Sequence, residues 1–241
     1  MSIVHWEKDE NVAILYMNNG ENRQNLDFAN SMNKALDEIL EDAAVQALVL
    51  TSKDEKNFSQ GVDVAWLGER MNNKELQPIK DFLYGMQSVF KKLILYPVPT
   101  IAAINGHAFG NGAILSCACD FRFMRSDRGY FCFPEVNIGI MFFPGMNAFC
   151  KKAIPYYKFQ EMQFTGNRYG GQELEEHKVV RKACAGQEEL MKESLAFAKT
   201  FQKKRGIFGE MKKRMYKDII EIMDNEDPKV SIEPLNVMKF D

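Results

Sequence analysis

The sequence predicts an α/β fold with a core of parallel strands, and three observations predict it. Short apolar runs alternate with amphipathic runs at helical spacing: Ala47-Leu48-Val49-Leu50-Thr51, then Phe82 to Leu95, then Thr100-Ile101-Ala102-Ala103-Ile104. The joining segments are short and carry Gly, Asn and Ser. The chain has 241 residues, 46% of them apolar, which is enough to bury a sizeable core.

The chain opens with two stretches, Ile3 to Trp6 and Val12 to Met17, split by the polar Lys8 to Asn11, and this pattern predicts a hairpin. Asn18 to Asn25 has loop chemistry, with Asn19-Gly20 as its turn signal. Phe28, Met32, Leu36, Ile39 and Leu40 then follow the helical period, and Asp27 is a candidate cap. Ala47 to Thr51 is a buried strand, followed by a turn over Ser52 to Asn57. A helix over Phe82 to Leu95 leads into the strand Thr100 to Ile104 and a glycine-rich loop, Asn105 to Gly112. A short apolar helix (Ala113 to Cys119), a strand (Asp120 to Met124), a turn and a strand stub (Tyr130 to Phe133) complete the predicted core. Residues 188–241 read differently from residues 1–187. Two charged amphipathic helices, Glu188 to Lys203 and Gly206 to Met223, precede an acidic tail from Asn225 to Asp241.

Composition removes several classes of function. Thirty-one Lys and Arg stand against 33 Asp and Glu, so the chain has no overall field for nucleic acid and none is expected as a partner. The five cysteines (117, 119, 132, 150 and 184) have apolar neighbours and form no CxxC pair, as expected of reduced core thiols. Leu93 to Cys119 lacks formal charge but holds prolines, glycines, asparagines and a histidine, so it reads as core and no membrane association is expected. The N-terminus lacks the basic-then-apolar pattern of a signal peptide, and a cytoplasmic location is the expectation.

Two loops invite chemistry. Asn57 to Asp63 and Asn105 to Gly112 each follow a buried strand and precede a helix, where backbone N–H groups are left unpaired. Two such turns facing one point would hold a developing negative oxygen. Read singly, each loop is better taken as a tight connection.

Taken together, Phe58-Ser59-Gln60-Gly61-Val62-Asp63, the run from Pro97 to Gly112, Cys119-Asp120 and Phe133-Pro134-Glu135-Val136 with Gly139 resemble the crotonase, or enoyl-CoA hydratase/isomerase, superfamily. Asn22-Arg23-Gln24-Asn25 matches its early loop, and the match weakens beyond about residue 185. The resemblance implies a crotonase-like spiral of ββα units with a C-terminal helical region that mediates trimerisation, as a homotrimer or a hexamer of two trimers. It also implies an acyl-CoA substrate whose coenzyme A belongs to the substrate, with no metal and no separate cofactor. The family's amide donors fall on the N–H groups of Val62 and Asn111, within the loops of Gly61 and Gly110. Members usually carry glycine where this chain has Asn111.

The carboxylates separate the reactions. Hydratases of the superfamily use two glutamates. Glu135 matches the second, while Ile114 stands at the first. One carboxylate suffices for a 1,3-proton shift, so the pattern is similar to the Δ3,Δ2-enoyl-CoA isomerases, in particular the plant peroxisomal type, which Arg125 to Gly129 also resembles. The terminal Lys239-Phe240-Asp241 is not a Ser-Lys-Leu address. Burial among Phe131, Phe133, Phe142 and Phe143 would make Glu135 a stronger base.

Trp66, Leu67, Met141, Phe142 and Phe143 are candidates for the acyl pocket, and Arg23 for a CoA phosphate. The basic runs Lys203 to Arg205 and Lys212 to Arg214 are further phosphate candidates or solvated faces. His107 reads as packed structure, and Asp63 and Asp120 as residues that tie loops down. Two rival readings remain. One is a hydratase or another thioester lyase or hydrolase, drawing a second acid from Glu69 or Glu75. The other is a non-catalytic binding protein on the same scaffold.

Overall fold

The computed structural model describes residues 2–231. The N-terminal hairpin pairs β1 (Val4–Asp9) with β2 (Val12–Met17) in antiparallel register, Val4 opposite Met17. Helix α1 (Leu26–Glu41) follows, and its cap is Asn25 rather than Asp27: the Asn25 side chain accepts from the Phe28 N–H, which places Asp27 inside the first turn.

The chain next repeats a three-part unit. Strand β3 (Ala47–Ser52) enters one sheet, β4 (Asn57–Ser59) enters a second, and helices α2 (Val64–Asn72) and α3 (Leu76–Leu95) follow. In the next unit β5 (Thr100–Ile104) and β6 (His107–Phe109) precede α4 (Asn111–Ala118). A third pair, β7 (Phe121–Arg125) and β8 (Phe131–Cys132), leads to a single 3₁₀ turn over Glu135–Ile138. With β9 (Arg168–Tyr169) and β10 (Lys182–Cys184), the larger sheet has the order β1-β2-β3-β5-β7-β10, parallel from β2 onward, and the smaller has the order β4-β6-β8-β9. This is the spiral of ββα units, with strands of each unit shared between two sheets.

The remaining elements are α5 (Pro144–Ala153), α6 (Tyr156–Thr165), β9 (Arg168–Tyr169), α7 (Gly171–Glu176), β10 (Lys182–Cys184), α8 (Gln187–Lys199), α9 (Arg205–Met215), α10 (Lys217–Asn225) and α11 (Asp227–Ser231).

The period-2 rule of a strand decides which core each side chain joins. In β3, Leu48 and Leu50 enter the main core with Phe28 and Met32 of α1, while Ala47 and Val49 enter a second core beneath α8. In β5 the same split sends Ala102 and Ile104 one way and Ile101 and Ala103 the other. Both faces are covered, which explains why these strands read as unbroken apolar runs.

Several boundaries differ from the sequence reading. Helix α3 starts at Leu76, because Pro78 sits in its first turn, where a missing N–H costs nothing. The glycine-rich loop contains β6, which is too short to register as a periodic run. The helix expected over Gly206 to Met223 is two helices hinged at Tyr216, whose ring packs against the main core under the Lys152 ammonium. The acidic tail begins as α11, and Lys239 to Asp241 lie outside the described residues. The C-terminal helices pack on their own chain: α8 on the larger sheet, α10 on α5, with Met223 inside the main core. No helix among the described residues is long and apolar enough to cross a membrane.

Candidate active site

Strands β4, β6 and β8 lie side by side and parallel, so their C-terminal ends emerge along one edge. Each is followed by a turn: Gln60 to Asp63 before α2, Gly110 before α4, and Phe133-Pro134 before the 3₁₀ turn. Neighbouring strands are about 4.8 Å apart, so these three turns must meet. Val62, Asn111 and Glu135 converge there, in the wall of one cavity of about 410 Å³.

The turns interlock through glycine. Gly61 has φ +79°, and a Cβ there would stand 2.7 Å from the Phe109 carbonyl oxygen and 3.1 Å from the Asn111 nitrogen. A Cβ on Gly112 would lie 2.3 Å from the Ser59 carbonyl oxygen. Only hydrogen fits at either place. Asn111 opens α4, so its N–H has no carbonyl one turn back to receive it. Among the described residues no carbonyl accepts the N–H of either Val62 or Asn111. Two unpaired amides thus stand in a largely apolar cavity, a place where donors act strongly on a nascent oxyanion.

Glu135 faces the same place. Its Oε1 lies 3.2 Å from where a Gly110 Cβ would be, next door to Asn111. Its Oε2 is shielded from solvent and has no hydrogen-bond partner among the described residues. Burial pushes the carboxyl up to about 7, because little compensates the charge. An unpartnered buried carboxylate costs stability and is poised to exchange a proton near neutral pH.

Most of the remaining wall is apolar. Leu67, Ile114, Met141, Phe142 and Phe143 line it, with Gly61 and Gly110. Phe133 stacks edge-on against Phe131 and Phe142 behind Glu135. The sequence reading missed the largest contribution, one face of α3: Ile79, Phe82, Leu83, Met86, Gln87 and Phe90. The signal was available, since these positions recur at helical spacing.

Trp66 is not brought to the cavity. It turns to the other side of α2 and packs edge-on against Phe82. Arg23 pairs with the exposed Glu21 at 2.9 Å, away from the wall. Glu69 and Glu75 both pair with Arg70 on the surface side of α2 rather than folding inward. Lys212 is buried against Asp120 at 2.7 Å and Arg205 donates to the carbonyls of Leu40 and Asp42, while Lys203, Lys204, Lys213 and Arg214 stay exposed, and neither basic run lines the cavity. Asp63 caps α2 through the Trp66 N–H, and His107 Nδ1 accepts from the Tyr130 N–H. A second carboxylate does reach the cavity. Asp227 of α11 accepts from the Gly145 N–H at 2.7 Å and is pushed up to about 6 by burial. Among the described residues, no three His, Cys, Asp or Glu side chains cluster as metal ligands would.

The sequence profile of the enoyl-CoA hydratase/isomerase family matches residues 7–229. The chain belongs to that family. Among family relatives, a crotonyl-CoA hydratase of Syntrophomonas wolfei is 35% identical over 136 residues, 56% of this chain and 50% of the relative. The peroxisomal enoyl-CoA delta isomerase 1 of Arabidopsis thaliana is 35% identical over 56% of this chain and 55% of its own length. The peroxisomal enoyl-CoA delta isomerase 2 of the same plant is 27% identical over 86% of this chain and 89% of its own length. The first two matches span about half the length of those relatives. The fold agrees with that of an enoyl-CoA hydratase from Bacillus halodurans (TM-score 0.88, 20% identity, 99% of this chain and 96% of the other).

Proposed function

We propose that this protein is a Δ3,Δ2-enoyl-CoA isomerase, moving the double bond of a 3-enoyl-CoA to the trans-2 position with Glu135 as the one proton carrier. The carboxylate takes a proton from C2 of the acyl chain, the charge moves onto the thioester oxygen, and the amides of Val62 and Asn111 hold that oxygen. Glu135 then returns the proton at C4. No metal or redox cofactor enters this sequence of steps, and coenzyme A arrives with the substrate.

The observation that carries the reading is the composition of the cavity wall beside the two amides: Glu135 is there with a free, desolvated oxygen, and Ile114 is apolar where a water-holding acid would be needed. Such an amide pair is worth about 3 kcal/mol per donor in the transition state. A pKa of about 7 serves a group that must both accept and donate the same proton. Exposed apolar side chains in register on α9 (Ile207, Met211, Met215) and on α6 (Tyr156, Tyr157, Phe164) support assembly as a trimer or a pair of trimers.

Hydration is the second reading, and Asp227 is the observation that favours it, as a second acid on the same cavity. Against it, one Asp227 oxygen is occupied by the Gly145 N–H and the other faces the Gln87 amide at 3.4 Å. Parallel assays of 3-hexenoyl-CoA isomerisation and crotonyl-CoA hydration separate the two. Isomerisation is expected to dominate, with kcat/KM rising about tenfold per pH unit up to about pH 7, as Glu135 ionises, and level above it. Dominant hydration that collapses in Asp227→Asn would overturn the isomerase reading.

A further inference from the structure

The side chain of Asn111 is tied to a second buried residue. It folds back into the protein, where its Nδ2 donates to Gln24 Oε1 at 2.6 Å. Gln24 is fully buried, and its own Nε2 donates to Ser59 Oγ at 3.1 Å, with a longer contact of 3.4 Å to the Asn111 carbonyl. Ser59 Oγ in turn donates to the Asn22 carbonyl at 2.7 Å and accepts from the Gly61 N–H at 3.2 Å. The main chain of Gln24 is engaged as well. Its N–H donates to the Gly61 carbonyl and its carbonyl accepts from the Asp63 N–H, both at 2.8 Å, so it brackets Val62 from either side.

One residue therefore touches both amide-bearing turns, the first by its backbone and the second by its side chain. Every polar atom of the Gln24 side chain is spent on this task. An asparagine where a glycine-rich turn would suffice, matched to a buried glutamine, is costly unless both partners are present, because either amide alone would be an unpaired buried polar group.

We infer that Gln24 is a positioning residue for the two-amide pocket: it sets the spacing between the Val62 and Asn111 N–H groups, and Asn111 is the handle through which it does so. This rests on the proposed use of those amides to hold a thioester oxygen. Donors aimed at charge that develops only in the transition state govern kcat more than substrate affinity, and displacement by about 1 Å costs up to a hundredfold. Gln24→Met, which keeps the length and removes the hydrogen bonds, should lower kcat for 3-hexenoyl-CoA by about ten- to hundredfold with KM changed less than about threefold. In an Asn111→Gly background the same substitution should have a clearly smaller effect, since the handle is gone. Asn111→Gly alone should show the same loss confined to kcat, and it keeps the inference testable should Gln24→Met fail to fold. Gln24→Glu, which retains the acceptor for Asn111, should recover part of the rate.

Binding of acetoacetyl-CoA, read by the near-ultraviolet absorbance of its enolate, reports on the amides independently of turnover. Wild type should stabilise the enolate and Gln24→Met should weaken it. Unchanged kcat in a folded Gln24→Met, equal loss in kcat and affinity with a lowered melting temperature, or full additivity in the Asn111→Gly background would each overturn the role of Gln24 and leave the isomerase reading standing. Failure of the wild-type protein to bind acetoacetyl-CoA at all would overturn both.

Discussion

At the N-terminal end of α4, the Asn111 N–H stands at the wall of a largely apolar cavity, with no carbonyl among the described residues to receive it. At the C-terminal end of the same helix, the carbonyls of Ser116, Ala118 and Cys119 are taken by buried cations. Arg122 donates to Ser116 and Cys119 at 3.3 and 3.0 Å, and Lys152 to Ala118 and Cys119 at 3.4 and 3.1 Å. Burial holds Lys152 down at about 8, yet it still points at helix carbonyls, the partners a cation prefers. Beside it Asp120 accepts from the Thr100 N–H and hydroxyl and from Lys212. The two ends share a helix, a core and a low-dielectric setting, but only one has satisfied its polar groups. Folding alone rewards the saturated end. Glycines and the buried Gln24 network surround the unsaturated end, and the proposed use of this end is to receive a ligand's oxygen.

Three substitutions, read in four measurements, break or sharpen this contrast. The largest effect is expected from Glu135→Gln, which keeps shape and removes the base: isomerase turnover should fall by about two to four orders of magnitude, while acyl-CoA binding measured by calorimetry stays within a few fold. Turnover close to wild type would remove Glu135 from the mechanism. Next is Gly61→Ala. Its methyl group would press on the Phe109 carbonyl and the Asn111 nitrogen and force apart the two amides, so kcat should drop about a hundredfold.

At the saturated end the outcome should invert. Lys212→Met leaves Asp120 buried without its cation, and denaturant unfolding should report a loss of about 3–5 kcal/mol. The kcat of the remaining folded protein should stay within about twofold. The smallest effect concerns stability at the open end. Glu135 has its carboxyl raised to about 7 from an ordinary 4.5, so the protonated form favours folding. That contribution is complete below about pH 4.5 and is lost as pH rises through 7. Glu135→Gln should therefore gain stability relative to wild type across that window, levelling at about 3 kcal/mol above neutrality. Parallel unfolding curves at pH 5 and pH 8 check it, and an equal difference at both would show that the carboxylate is not desolvated.

Much of the fold was legible because strands buried on both faces leave a continuous apolar signature, and the helices between them keep their period. The boundaries that failed did so where tertiary contact overrode local pattern. Tyr216 breaks a charged helix in two because its ring joins the core, and β6 forms inside a glycine loop because β4 and β8 offer it partners. At the candidate site, Val62, Asn111 and Glu135 were picked out because the segments that carry them resemble the family's motifs, and the structure places all three on one cavity. Trp66 was misplaced: its neighbour Leu67 reaches the cavity and Trp66 does not, and with no buried residue in α2 the pattern could not rank the two. Gln24 carried no sequence signal of its role, since its partners lie 35 and 87 positions away.

Sequence alone determined the alternation of strand and helix and the two glycine turns, because these depend on residue type and short-range spacing, and its family resemblance singled out Glu135 and Ile114. Only the tertiary structure decided that three turns share one edge of a small sheet, that Glu135 Oε2 is shielded from solvent and without a hydrogen-bond partner among the described residues, that Asp227 returns to the cavity, and that Gln24 contacts both amide-bearing turns. These depend on which distant segments meet, and no local pattern encodes a distance between them.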